Sequence, residues 1–98
     1  MEKFHEIIQS NKPVVVDFYA DWCGPCKAMA PVIKKVAVET EGRARIIKVD
    51  VDRNPEAAAK YDVRAIPTFI IFKNGQPVWR HAGSIDKHSL VKQLLAFT

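Results

Sequence analysis

Ninety-eight residues can bury one hydrophobic core but not two, so the chain is read as one domain spanning 1–98. Apolar residues at 48% and charged residues at 27% are ordinary for a globular protein and exclude a disordered, collagenous or disulfide-scaffold chain. The net charge of +4 comes from scattered basic residues, of which only Lys34 and Lys35 are adjacent, so neither nucleic acid nor an anionic membrane is an expected partner.

The first twelve residues, MEKFHEIIQSNK, lack the uninterrupted apolar stretch of a secretory signal, and no apolar run approaches the ~18 residues of a membrane span. A cytoplasmic address is expected. Residues 3–9 place Phe4, Ile7 and Ile8 at helical spacing, and Asn11 and Pro13 end that pattern. Residues 14–20, VVVDFYA, are nearly all apolar, β-branched or aromatic, which predicts a strand covered on both faces. From Gly24 to about Glu41 the period changes: Met29, Val32, Ile33, Val36 and Ala37 share one face of a long helix with Pro31 in its interior.

Residues 44–51 predict a second strand, and Asn54-Pro55-Glu56 supplies an N-cap, a first-turn proline and an acid for a short helix. Residues 68–72 predict a third strand. Asn74-Gly75 signals a hairpin into a fourth, residues 77–82. Asp86 can cap a closing helix in which Leu90, Val91, Leu94 and Leu95 form one stripe. The alternation predicts an α/β domain: a central four-stranded mixed sheet with helices on both faces, the last two strands antiparallel and the first three expected to be parallel.

Cys23 and Cys26 are the only cysteines. They stand where the first strand ends and the long helix begins, the context in which a CxxC pair reads as redox-active. Unpaired N–H groups and the positive end of the helix dipole stabilise a thiolate on Cys23, and the thiolate is the reactive species. Cys26, one turn further in, is close enough to bridge. Gly24 permits a tight turn, and Pro25 presets φ at a position that requires no donor. Rival readings are weaker. Zinc wants four ligands, and His5, His81 and His88 have no finger spacing. A structural disulfide closing so short a loop stabilises by only about 2 kcal/mol. Inert core thiols would leave Gly-Pro between them without a purpose. Asp17, set in an apolar strand, is expensive to bury ionised, so its pKa is expected to rise.

The segments VVVDFYADWCGPCK, KVDVD, AIPTFIIFKNG and AGSI, in this order and spacing over about residues 13–98, resemble the thioredoxin family. The resemblance implies the thioredoxin fold and a protein-disulfide reductase whose redox centre is the Cys23–Cys26 disulfide. In it Cys23 is the attacking thiol and Cys26 the resolving one, Asp17 moves the proton of Cys26, and Lys48 modulates Asp17. Trp22, Gly24 and Pro25 form the active-site loop. An X-Pro bond is cis in only about one case in twenty, yet the resemblance implies a cis Pro67 that exposes the Ile66 main chain to an extended substrate. Trp22, Ile66 and Gly83 then line a shallow apolar groove for protein disulfides.

The resemblance also implies no bound cofactor or metal, and electrons supplied by a separate thioredoxin reductase drawing on NADPH or by a ferredoxin-linked equivalent. No flavin or nicotinamide fingerprint occurs in the chain. The expected form is a monomer serving electron transport and cell redox homeostasis. Two departures stand out. The family's first edge strand has no counterpart, which leaves residues 44–51 as a sheet edge carrying Arg43, Arg45 and Lys48 nearby. Tyr19 stands where many members carry tryptophan. A disulfide oxidase or isomerase on the same fold is the alternative within redox chemistry, but Gly-Pro matches reducing members, whereas oxidising relatives carry His beside the second cysteine. A binding subunit using the same surface without turnover is the alternative outside it.

Overall fold

The computed structural model describes residues 3–98. Its elements are α1 (Phe4–Ile7), β1 (Val14–Tyr19), α2 (Gly24–Glu39), β2 (Arg45–Asp50), α3 (Pro55–Lys60), β3 (Thr68–Lys73), β4 (Gln76–Ala82) and α4 (Lys87–Ala96). Types and order agree with the sequence reading. The opening helix is four residues long and ends at Ile7, and Lys3 at its start provides no side-chain cap. Among the described residues no helix is long and apolar enough to cross a membrane.

The strands form one sheet in the order β2-β1-β3-β4. β1 and β2 are parallel, whereas β3 runs antiparallel to β1, contrary to the expected three parallel strands. Helix length explains the difference. α2, at 16 residues, spans about 24 Å and can carry the chain back along a strand of about 20 Å. α3, at six residues, spans only about 9 Å. The chain therefore turns at the end where β2 finishes and re-enters the sheet from there, which delivers the start of β3 to the C-terminal end of β1.

β1 is buried from Val14 through Phe18, since its two faces meet two separate layers. Val15, together with Phe69 and Ile71, packs against Met29, Ile33 and Val36 of α2 and Leu90 and Leu94 of α4. Val14, Val16 and Phe18 pack on the other side with Ile8, Ile70 and Phe72. There Phe4, Tyr61 and Phe72 meet edge to face, with centroids 5.0–5.9 Å apart. α2 runs through the exposed Pro31 without a break. The outer edge of β4 carries Pro77 beside a register shift at Ile71/Phe72, two devices that discourage further strand pairing.

The caps follow the sequence in one place and depart from it in another. Asp86 accepts from the Ser89 N–H (3.0 Å) and hydroxyl (2.7 Å) at the start of α4, and these bonds, the hydroxyl's first, hold its carboxyl below the usual carboxylate range. Asn54 does not cap α3. Its amide instead donates to the Asp50 carbonyl (3.0 Å), which ties the helix start to the end of β2. At the hairpin, Asn74 (φ 53°) and Gly75 (φ 81°) both adopt the left-handed conformation of a two-residue turn. Their N–H groups donate to the carbonyls of Ser10 and Ile8, each at 2.9 Å, so the turn is pinned beneath the end of α1.

Leu94→Ala, at a site with no solvent exposure, is expected to lower the unfolding free energy in urea by about 2–5 kcal/mol. A loss under 1 kcal/mol would show that α4 is not packed as described. Gly75→Ala forces a Cβ into left-handed backbone, 2.7 Å from the Gln9 amide. It is expected to cost about 1–2 kcal/mol in the same assay.

Candidate active site

β1 and α2 are joined by residues 20–23, and the first turn of α2 receives them with a sulfur. Cys23 occupies the N-cap in extended conformation (φ −83°, ψ 110°), and its Sγ accepts from the Cys26 N–H at 3.1 Å. A side chain that accepts from the first turn satisfies one of the donors every helix start leaves unpaired. Pro25 sits in that turn, where its missing N–H costs no helical bond. No other part of the protein lies within 4 Å of where a Cβ would be at Gly24, so the space over the turn opens outward.

Cys23 and Cys26 form a disulfide with Cα atoms 5.2 Å apart. Both residues are buried, 4% and 7% exposed, so shielding does not distinguish them. Their surroundings do. Cys23 Sγ lies 3.9 Å from the Ile66 carbonyl oxygen at the start of β3. Cys26 instead borders a cleft of about 210 Å³ shared with Tyr19, Asp21, Lys27 and Lys48.

The Ile66–Pro67 peptide bond is cis. Ile66 packs against the cluster of Ala20 and the two cysteines. The Pro67 carbonyl accepts from the Gly83 N–H at 2.8 Å, and Gly83 adopts φ 97°, a conformation that favours glycine. The ends of three strands and the tip of one helix thus converge on the disulfide. Trp22 stands out from them, 69% exposed.

Trp22 is held by a residue that the sequence reading missed. Its Nε1–H donates to Asp52 Oδ2 at 2.9 Å. The turn that presents Asp52 is itself shaped by the buried Asp50, whose Oδ1 accepts from the Asp52 N–H (2.9 Å) and the Arg53 N–H (3.3 Å). The signal was present in KVDVD followed by Arg-Asn-Pro, since an aspartate at the start of a turn commonly bonds the backbone ahead of it. Nothing local announces that the second aspartate reaches a tryptophan thirty positions away.

Asp17 lies on the face of β1 that meets α2, in register with Lys48 on β2 and Phe69 on β3. It is 3% exposed, and among the described residues its Oδ1 has no hydrogen-bond partner. Burial pushes its pKa up from 3.8 to about 6, against an opposing pull from the Lys48 charge. Lys48 keeps its ammonium at the surface, 4.3 Å from the centroid of the Tyr19 ring. Among the described residues no group of three or more His, Cys, Asp or Glu side chains is placed to hold a metal ion.

Residues 1–96 match the sequence profile of the family described as Thioredoxin. A thioredoxin of Mycobacterium tuberculosis is 49% identical over 89 residues, covering 91% of this chain and 77% of that protein. A bifunctional thioredoxin reductase/thioredoxin of Mycobacterium leprae is 48% identical over 91 residues, which is 93% of this chain and 20% of that longer protein. The crystal structure of oxidised mitochondrial thioredoxin 3 from Saccharomyces cerevisiae superimposes with a TM-score of 0.85 at 38% identity, covering 95% of this chain and 86% of that one. With the paired cysteines bridged at the tip of α2 and this likeness along nearly the whole sequence, the chain belongs to the thioredoxin family and is a protein thiol-disulfide oxidoreductase acting through Cys23 and Cys26.

Proposed function

We propose that Cys23 is the nucleophile and Cys26 the resolving thiol in the reduction of protein disulfides. The observation that carries this assignment is the Cys26 N–H directed at Cys23 Sγ (3.1 Å) at the helix start. In the dithiol state the same donor and the helix dipole stabilise negative charge on that sulfur and on no other. The Cys23 thiolate attacks a substrate disulfide and forms a mixed disulfide, and the departing substrate sulfur takes up a proton. Asp17 accepts the proton of Cys26, whose thiolate then attacks Cys23 Sγ and releases the second substrate sulfur as a thiolate, which takes up a proton in turn. Two electrons have moved: the substrate leaves as a dithiol and the protein as its disulfide.

Trp22, Ile66 and Gly83 form the docking groove, with the Ile66 main chain beside the nucleophile available to pair with an extended substrate segment. Gly24 and Pro25 keep the approach to Cys23 open. The domain acts as a cytoplasmic monomer across residues 1–98. It takes its electrons from a separate thioredoxin reductase fed by NADPH, or from a ferredoxin-linked equivalent. A reductase partner is supported by the Mycobacterium leprae protein, which joins both names in one chain.

Insulin reduction with dithiothreitol tests the thiol assignment. Cys23→Ser is expected to abolish the catalysed rate, whereas Cys26→Ser still attacks and accumulates a covalent adduct visible by non-reducing mass spectrometry. Equal rates for wild type and Cys23→Ser would refute the assignment.

Asp17 leaves a signature in stability. Its folded-state pKa, about 6 against an ordinary 3.8, means that the folded protein binds the proton more tightly than the unfolded chain. Stability therefore falls as pH rises from about 4 to above 6, where the full cost of the buried carboxylate is present. In the oxidised protein Asp17→Asn is expected to raise the unfolding free energy by about 2–3 kcal/mol at pH 7.5 and by little at pH 4. The same gain at both pH values would count against a buried, titrating Asp17.

A further inference from the structure

The parallel register that sets Lys48 opposite Asp17 also sets Tyr19, two residues along the same face of β1, beside the lysine. A lysine ammonium on a four-carbon stem at a strand surface moves freely unless something fixes it. Among the described residues neither a hydrogen bond nor an ion pair fixes Lys48; its ammonium rests over the Tyr19 ring, 4.3 Å from the centroid. That distance lies within the range of a cation–π contact. Tyr19 and Lys48 both line the cleft that Cys26 borders.

We propose that Tyr19 is a positioning residue, whose ring face holds the Lys48 ammonium at the mouth of the Cys26 cleft and so keeps that charge beside the Asp17 carboxylate. The inference rests on Asp17 serving Cys26, as proposed above. It gives the cleft a defined electrostatics: the ammonium that opposes the burial of Asp17 is fixed in place by an aromatic face and not by a competing carboxylate.

The other charged groups around this position come from every neighbouring element. Asp21, just after β1, and Lys27, on the first turns of α2, line the same cleft. Asp50 follows Lys48 by two residues on β2, but its Oδ1 is engaged by the Asp52 and Arg53 N–H groups and its Oδ2 lies 3.9 Å from Arg53 Nε. On β3 the register partner of Asp17 is the apolar Phe69. Asp21 is therefore the anchor available to Lys48 once the ring is removed. A lysine drawn toward Asp21 or into solvent no longer offsets the burial of Asp17, and the fraction of ionised Asp17 near neutral pH falls.

The experiment follows the Asp17 carboxyl carbon by NMR through a pH titration of the oxidised protein, and the rate of mixed-disulfide resolution by rapid-quench mass spectrometry, in Tyr19→Leu, Tyr19→Phe, Lys48→Met and the Leu/Met double variant. Tyr19→Leu is expected to move the Asp17 midpoint upward, in the same direction as Lys48→Met, and to slow resolution at pH 6.5 by roughly two- to fivefold, the scale of an exposed cation–π contact. Tyr19→Phe keeps the ring face and should behave as wild type. Adding Tyr19→Leu to Lys48→Met should change nothing further. Tyr19→Met, flexible and apolar without a π face, gives the same readout if the Leu variant does not fold.

A wild-type midpoint in Tyr19→Leu beside a shifted one in Lys48→Met would overturn the proposal, as would shifts that add in the double variant. Midpoints that move as expected with resolution rates unchanged would leave the positioning intact and overturn the assignment of Asp17 as the base for Cys26.

Discussion

An α-helix begins with backbone N–H groups that its own turns cannot satisfy, and the rest of this molecule is arranged to hold one sulfur against them. The constraint is demanding because the first turn of α2 must be fixed to a fraction of an ångström relative to residue 23. β1 supplies that rigidity. Buried on both faces from Val14 to Phe18, it ends in a loop with little freedom to drift. On the other side α2 is clamped by Met29, Ile33 and Val36 against the sheet and by the Lys87–Glu39 ion pair (2.6 Å) against α4. Cys26 lies in that first turn as well, but its N–H is directed at Cys23 Sγ and serves the other residue's sulfur. That asymmetry distinguishes the surroundings of two cysteines whose solvent exposure is almost the same.

The sheet beneath α2 also holds an acid, at a cost in stability. A carboxyl group under the helix, with one oxygen unpartnered, opposes folding whenever it is ionised. Sequences selected for stability alone would place an apolar side chain there, as at Val15 two residues earlier on the same face. The conflict between local preference and the overall fold falls at the functional site, where such conflicts are expected. The Lys48 charge opposes that burial without cancelling it.

Much of this was readable from residue order, for reasons that can be named. A strand covered on both faces writes itself as an unbroken apolar run, and the one charge inside β1 then stands out as the residue to explain. A helix start that must present a sulfur leaves Cys-Gly-Pro-Cys, and a turn with two left-handed residues leaves Asn-Gly. These are local signals with local causes. The direction of β3 had no such signal. It depends on whether α3 is long enough to return the chain along the sheet, a comparison of lengths that becomes decisive only once both helices are measured. The Asn54 amide was misread for a related reason: an N-cap and a donor to the preceding strand use the same residue type, and the geometry of the β2 end chooses between them. The Trp22–Asp52 bond was invisible because its partners are joined by the fold and not by spacing.

Cys23 obtains its surroundings from distant parts of the chain: the donor from its own helix, the neighbouring carbonyl from Ile66, forty-three positions away, and, behind that carbonyl, the Pro67–Gly83 bond from the far end of β4. Contacts of such separation are made only when the loops between them close, at an entropic cost that grows with loop length. The surroundings of this sulfur therefore exist only in the assembled molecule. What surrounds residue 23 is thus a product of the whole architecture and not of the pentapeptide that carries it.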